Sequence, residues 1–280
     1  MQVIGDVPVF GDPVNPGALT QFQRCRSTAD AAVLMADHHV GYAVPIGGVV
    51  VYKDAISPSG VGYDIGCGNK AVLTDMPGSE ARARIATIMD DIWARLSFGM
   101  GLRNKQRVDS DVFESDEWRL PVAAKLKALA QSQLGTIGSG NHYVDVFTDE
   151  QDRVWIGVHF GSRGLGHKLA THFLRAGGAK DDMQALPLVV KRKQAMFDDY
   201  LAAMRLAGAY AHAGRDWVCA EVVRERGVEL RGAGTDESPH CYKRLPQVLA
   251  QHEGTVRVLH TLRPIGVAMA GEGERDPYKD

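Results

Sequence analysis

Apolar residues recur along this chain in two different periods. Short runs such as Gly47-Gly48-Val49-Val50-Val51-Tyr52 and Val154-Trp155-Ile156-Gly157-Val158 are apolar, partly β-branched and bounded by turns, the pattern of strands. Between such runs the spacing becomes helical. Ser79 to Leu96 carries Ile85, Ile88, Met89, Ile92 and Leu96 on one face, with Ser79 placed to cap its start. Pro121 to Gln133 predicts a second helix, with proline suited to the first turn. Gly166 to Arg175 predicts a third. A long fourth runs from about Val190 to Arg226, with Met196, Leu201, Met204 and Trp217 toward the core. The Lys191-Arg192-Lys193 run, Arg224 and Arg226 fall on solvated faces. Arg103 to Trp118 is polar and acidic and reads as a surface loop. Alternating strands and helices, with no repeat and no low-complexity linker, are compatible with one α+β domain over residues 1–280, ending in a flexible tail at 271–280.

Composition narrows the classes. With 280 residues, 45% hydrophobic and 24% charged, the chain can bury a substantial core. A net charge of −2 provides no global basic field, so charge alone gives no argument for a nucleic-acid partner. No apolar run approaches the ~20 residues of a membrane helix, and no signal-like segment follows Met1. Cys25, Cys67, Cys219 and Cys241 are too scattered for a disulfide framework, which predicts a reduced, cytoplasmic chain.

Glycine concentrates the candidate chemistry in three clusters. Gly60-Val61-Gly62-Tyr63-Asp64-Ile65-Gly66-Cys67-Gly68 offers a carboxylate and a thiol three residues apart on an open backbone. Such a pair suits a divalent ion such as Zn²⁺ or Mn²⁺, and a thiolate can bridge two ions. Gly135-Thr136-Ile137-Gly138-Ser139-Gly140-Asn141-His142 exposes backbone N–H groups able to cradle a phosphate and sets His142 at the mouth of a strand. In Val158-His159-Phe160-Gly161-Ser162-Arg163-Gly164 a strand ends at His159 and a turn leads into a helix whose N-terminus favours anions. Arg163 there is a natural phosphate fork. Any one cluster is equally readable as an ordinary turn; the three together supply Asp, Cys, His and His, the count of a metal centre.

At these residues the sequence resembles the RtcB family of RNA-splicing ligases. The resemblance runs from Asp37-His38-His39-Val40-Gly41 through Pro45-Ile46-Gly47 and the three clusters, then resumes at Asp236-Glu237-Ser238-Pro239-His240-Cys241-Tyr242-Lys243 and Thr261-Leu262-Arg263-Pro264. It implies a β-sandwich-like core of mixed strands ringed by helices. It also implies an enzyme joining RNA 3′-phosphate or 2′,3′-cyclic phosphate ends, from tRNA halves or damaged RNA, to 5′-hydroxyl ends with Mn²⁺ and GTP. Carried over by position, the site would take one or two Mn²⁺ ions (Zn²⁺ being an alternative); Cys67 would bridge two, Asp64 and His142 would hold one, and His159 the other. Asn141 and Asp145 would contact the nucleotide, Arg163 an RNA or nucleotide phosphate, and Asp37 and His39 would support the ligands from behind.

The sequence also departs from the family. Between the helix ending near Val223 and Gly227-Val228-Glu229 it lacks a stretch that carries, in the family, a further metal histidine and the histidine that becomes guanylylated. Ala211-His212-Ala213-Gly214-Arg215 looks like the guanylylation motif, but it falls in the long helix, so His212 is only a weak candidate nucleophile. Met269 and Ala270 occupy the neighbourhood of a guanine-reading lysine, and Phe160 replaces a serine beside His159. Ligation impaired in this chain, a metal-dependent phosphodiesterase or cyclic-phosphate hydrolase, and a non-catalytic metal- and RNA-binding remnant therefore stand as alternatives.

Overall fold

A computed structural model describes residues 1–179, 187–224, 236–239 and 263–269, the last two segments as backbone. The expected tail at 271–280, Arg226, His240 to Lys243 and Thr261-Leu262 lie outside the described residues. The fold is α+β, as the alternation of periods predicts. The chain groups into two compact units, the first comprising Met1–Ile65, Arg119–Ala123 and Gly166–Arg205, the second Gly66–Trp118, Ala124–Leu165 and Leu206–Asp280.

In the first unit a sheet is ordered Gln2–Ile4, Val7–Val9, Ala31–His39, Ile46–Val51. Helix Pro16–Arg26 starts at Asn15, whose side chain accepts the Ala18 N–H at 2.9 Å. Its Phe22 packs with Val7, Val9 and Leu34 in a small core. Val190–Lys191 does not begin the long helix. It pairs as a strand with Ala55–Ile56, and the Arg192 N–H donates to the Asp54 carbonyl at 2.8 Å, so the helix starts at Met196 and runs to Arg224. Of its expected core residues Met204 is buried, while Met196, Leu201 and Trp217 are half-buried.

The second unit is built on an antiparallel sheet ordered Asp236–Pro239, Gly68–Pro77, Arg153–Phe160, Tyr143–Thr148, Arg263–Met269. Its central strand is buried from Val154 to Phe160, so both faces are apolar. Val154, Ile156, Val158 and Phe160 point to one face, where helix Gly78–Arg95 adds Ile88 and Ile92. Burying each such side chain contributes about 1.5–3 kcal/mol. Trp155, on the other face, packs with Ala71, Leu73 and Phe147.

Three local expectations are corrected here. The helix expected from Ser79 opens at Gly78, whose N–H is taken by the Asp152 carbonyl at 2.9 Å, so Ser79 lies inside the first turn and caps nothing. The run from Pro121 breaks into Pro121–Ala124 and Lys127–Gln133, with Leu126 at φ −101°, ψ −6°. The segment 103–118 is no plain surface loop: it forms turns of 3-10 helix at Asp111–Glu114 and Asp116–Arg119 that bury Phe113 and Trp118.

Candidate metal centre

The site is assembled by strand register. Asn69, His159 and Tyr143 are aligned across three neighbouring strands, Asn69 opposite His159 and His159 opposite Tyr143. Because paired residues share a face, their side chains meet. The Asn69 carboxamide oxygen accepts from His159 Nδ1 at 2.8 Å and from the Tyr143 hydroxyl at 3.0 Å, and the Tyr143 ring stacks on the imidazole at 5.6 Å. With its proton on Nδ1, His159 presents the Nε2 lone pair, which lies 3.3 Å from Cys67 Sγ.

The turn at the far end of this hairpin fixes that register. The Asp149 carboxylate accepts the N–H groups of Gln151 and Arg153 at 3.0 Å, Arg153 Nε at 2.6 Å and the Trp155 indole at 2.9 Å. Burial alone would raise this carboxyl, but the hydrogen bonds from Trp155, Arg153 and Gln151 hold it below its ordinary value.

His142 enters just before the strand Tyr143–Thr148. Its Nδ1 lies 3.0 Å from the Ile137 carbonyl and 3.1 Å from Arg163 Nη1. With its proton on Nδ1 the ring donates to that carbonyl and turns the Nε2 lone pair toward Cys67 Sγ, 3.7 Å away. The Gly135–Gly140 loop bends back to supply that carbonyl. Gly138 suits this bend because its φ is +89°, and its bare backbone lets the Arg163 guanidinium pack against it.

Cys67, His142 and His159 thus offer three ligand atoms within 4.8 Å of one another. Two ligands of one tetrahedral ion, with bonds of ~2.3 Å to sulfur and ~2.05 Å to nitrogen, stand ~3.6 Å apart. The sulfur–nitrogen distances of 3.3 and 3.7 Å bracket that value. A thiolate, two imidazoles and an oxygen acceptor behind each Nδ1 are a donor set that fits a divalent ion.

Other expected residues fall as follows. Asn141 Nδ2 is 3.2 Å from His159 Nε2, within the cluster. Asp145 is buried in the strand that follows His142. Arg163 lies against His142 at φ +53°, an uncommon conformation for a residue with a side chain. The helix it begins, Arg163–Ala176, is not fully open to an anion, since Gln133 Oε1 accepts the Gly164 N–H at 3.1 Å. Asp64, Asp37 and His39 belong to the first unit; Asp37 and His39 are exposed, and His39 Nδ1 lies 2.9 Å from the Asp37 carbonyl. His212 is inside the long helix, in the second unit.

Sequence reasoning missed Asn69 and Arg215. Arg215 is fully buried, and its Nη1 donates to the carbonyls of Gly66 at 2.9 Å and Phe160 at 2.7 Å, the residues flanking Cys67 and His159. One guanidinium therefore ties together the backbones that carry Cys67 and His159. Its signal was present in the sequence, because Ala207, Ala211, Arg215 and Val218 form one helical stripe in which the arginine is the only charge.

Known proteins match this chain along most of its length. The model of the family described as tRNA-splicing ligase RtcB matches residues 18–227. The tRNA-splicing ligase RtcB of Archaeoglobus fulgidus is 28% identical over 262 residues, covering 74% of this chain and 54% of the relative. The RNA-splicing ligase RtcB of Escherichia coli is 31% identical over 212 residues, covering 68% and 52%. For the tRNA-splicing ligase RtcB of Pyrobaculum aerophilum the figures are 28% over 291 residues, 81% and 59%. The chain spans about half the length of the curated relatives it matches.

Proposed function

The chain belongs to the tRNA-splicing ligase RtcB family, and on that premise we propose that it acts on RNA ends as a metal-dependent ligase. The reaction would join a 3′-phosphate or 2′,3′-cyclic phosphate end to a 5′-hydroxyl end with Mn²⁺ and GTP, in the cytoplasm. The observation that carries this reading is the convergence of Cys67 with His142 and His159 at 3.7 and 3.3 Å. Cys67, His142 and His159 would hold the ion, and Asp64 joins them on sequence alone. When bound, Mn²⁺ would neutralise phosphate charge and acidify a coordinated hydroxyl.

The chain's own residues contribute position and charge. Asn69 and the Ile137 carbonyl would hold each imidazole with its proton on Nδ1, which leaves Nε2 available. Arg163, beside His142, supplies a cation for a phosphate oxygen, and Asn141 an amide donor next to His159. Asp145 is assigned to the nucleotide, and Asp37 and His39 to an outer supporting role, by family position. No described histidine matches a guanylylation motif in its family context, so ligation by this chain alone should be slower by orders of magnitude than with a covalent nucleophile.

Intact mass after incubation with GTP and Mn²⁺, together with a joining assay on 3′-phosphate and 5′-hydroxyl RNA, tests the reading. A GMP adduct or GTP-dependent joining supports a ligase. Hydrolysis of the 2′,3′-cyclic phosphate without GTP, with no adduct, would replace it by a metal-dependent hydrolase. Neither activity, with the metal still bound, would leave a non-catalytic family member.

A further inference from the structure

Beyond the metal centre, the second unit carries an open groove of about 990 Å³ beside the end of helix Gly78–Arg95. Its wall combines indole surface with cations. Trp93 stands edge-to-face against Phe98 at 4.3 Å, yet it remains 54% exposed, and Leu102 beside it is 48% exposed. A large aromatic fixed by a neighbour and open to water is ready to stack on a flat partner without losing much freedom.

Arg103, Lys105 and Arg107 alternate along the lining, all exposed, and among the described residues none of them pairs with a carboxylate. Arg95 is engaged by Glu221 at 3.4 Å, which leaves Asp109 as the opposing charge on the groove wall. The chain as a whole has a net charge of −2, so this is a local concentration of positive charge rather than a sample of the average.

The loop is anchored. Asn104 donates its N–H to Ser132 at 2.9 Å and its carboxamide N–H to Leu134 at 2.5 Å. Gly99 N–H donates to Gly138 at 2.6 Å, and Ile137 N–H donates to Ser97 at 2.9 Å. Gly138 and Ile137 belong to the loop that ends in His142, so the groove wall and the ligand loop share one backbone framework.

We propose that this groove is a second RNA-binding surface, taking a single-stranded segment with a base stacked on Trp93 and phosphates on Arg103, Lys105 and Arg107. The choice of RNA as occupant rests on the RNA-ligase reading; the chemistry of accessible indole plus unpaired cations is that of single-strand binding. An acidic peptide would satisfy the cations and leave the indole unused.

The test is fluorescence anisotropy of the full chain with a labelled oligouridylate of about 12 nucleotides, carrying 3′-hydroxyl ends so that it is no ligation substrate. Wild type should bind at about 50 mM salt and weaken steeply toward about 200 mM. Replacing Arg103→Gln, Lys105→Gln and Arg107→Gln together should reduce affinity at least about tenfold and lower the log–log salt slope by about 2, three contacts at ~0.7 each. Trp93→Ala should cost about fivefold or more. All four positions are exposed, so folding should be preserved. Unchanged binding in these variants, no binding by wild type at low salt, or equal displacement of the RNA by polyglutamate would overturn the proposal. Cys67→Ala separates the two readings: it should lose metal and keep oligonucleotide binding within about twofold, since it leaves these phosphate contacts in place. Metal lost from Cys67→Ala, with groove variants binding like wild type, would sink the groove and leave the metal centre standing.

Discussion

His38, His142 and His159 are hidden to the same degree, at 7%, 7% and 5% exposure, yet their rings are used differently. In the first unit, His38 Nδ1 lies 2.6 Å from the Met35 carbonyl and Nε2 accepts the Asn15 N–H at 3.0 Å. Both nitrogens serve the main chain, tying the start of helix Pro16–Arg26 to the strand Ala31–His39. In the second unit His142 and His159 each have Nδ1 against an oxygen and Nε2 toward one thiol. Burial and residue type do not separate the histidine that serves the main chain from the pair that faces a thiol. What the second nitrogen faces does.

The thiols repeat the lesson. Cys25 lies 3.0 Å from the Ala43 carbonyl, and burial pushes its pKa up to about 11, so it stays a protonated donor to the backbone. Cys67 lies between two imidazoles and is half-buried.

The largest expected effect breaks the comparison directly. His142→Ala and His159→Ala should each weaken Mn²⁺ or Zn²⁺ binding by more than about 100-fold, beyond the range of losing an outer-shell partner. His38→Ala should leave metal content unchanged and instead lower stability by about 1–3 kcal/mol, because the Asn15 N–H loses its acceptor. Equal metal loss in all three, by elemental analysis after dialysis, would erase the distinction. A smaller effect is expected one step out. Asn69→Leu keeps the branched shape of the side chain but removes the acceptor of His159 Nδ1–H, and should cost about 10- to 100-fold in metal affinity, read by competition with a chelating dye.

Arg215→Met should come next. It keeps an unbranched stem on the helix but strips the donor from the Gly66 and Phe160 carbonyls, a charge-assisted pair of bonds. A loss of about 1.5–3 kcal/mol in thermal or denaturant unfolding is expected, together with a smaller rise in stability on adding metal than wild type shows. An unchanged metal-induced shift would confine Arg215 to scaffolding.

The smallest effect concerns the hairpin turn. Asp149 is held below its ordinary 3.8, so the folded state binds its proton less readily than the unfolded chain. Its contribution is fully present above that ordinary value and is lost as pH falls through the lower folded one. Asp149→Asn should therefore be less stable than wild type near pH 6, and the gap should narrow below about pH 4. A gap independent of pH would mean that the carboxylate's charge is not what the turn uses.

Much of this molecule was legible because period and turn chemistry agree. The strand at Val154–Val158 and the helical face Ile88-Ile92-Leu96 follow from spacing alone. The metal-ligating types stood out because glycine marked where backbones converge. Long-range pairing was not legible. Val190–Lys191 carries no local sign that it will pair with Ala55–Ile56 across the sequence, so helical spacing beyond Met196 drew the helix too far back. Ser79 lost its capping role to Asp152, a partner supplied by the hairpin turn. Asn69 was invisible for the same reason, since only the register between Gly68–Pro77 and Arg153–Phe160 sets it opposite His159. Asp37 and His39, by contrast, were readable as a motif, but motif position says nothing of how His38 between them is bonded.

The central claim is that Cys67, His142 and His159 form a metal centre, and a cobalt(II) titration tests it most directly. A thiolate bound to cobalt absorbs in the near ultraviolet, and a thiol hydrogen-bonded to imidazoles does not. Wild type should develop that absorption and saturate at about one or two ions per chain. Cys67→Ala should lack it, and His38→Ala should keep it. Wild type without the band, or Cys67→Ala binding cobalt as tightly as wild type, would contradict the account.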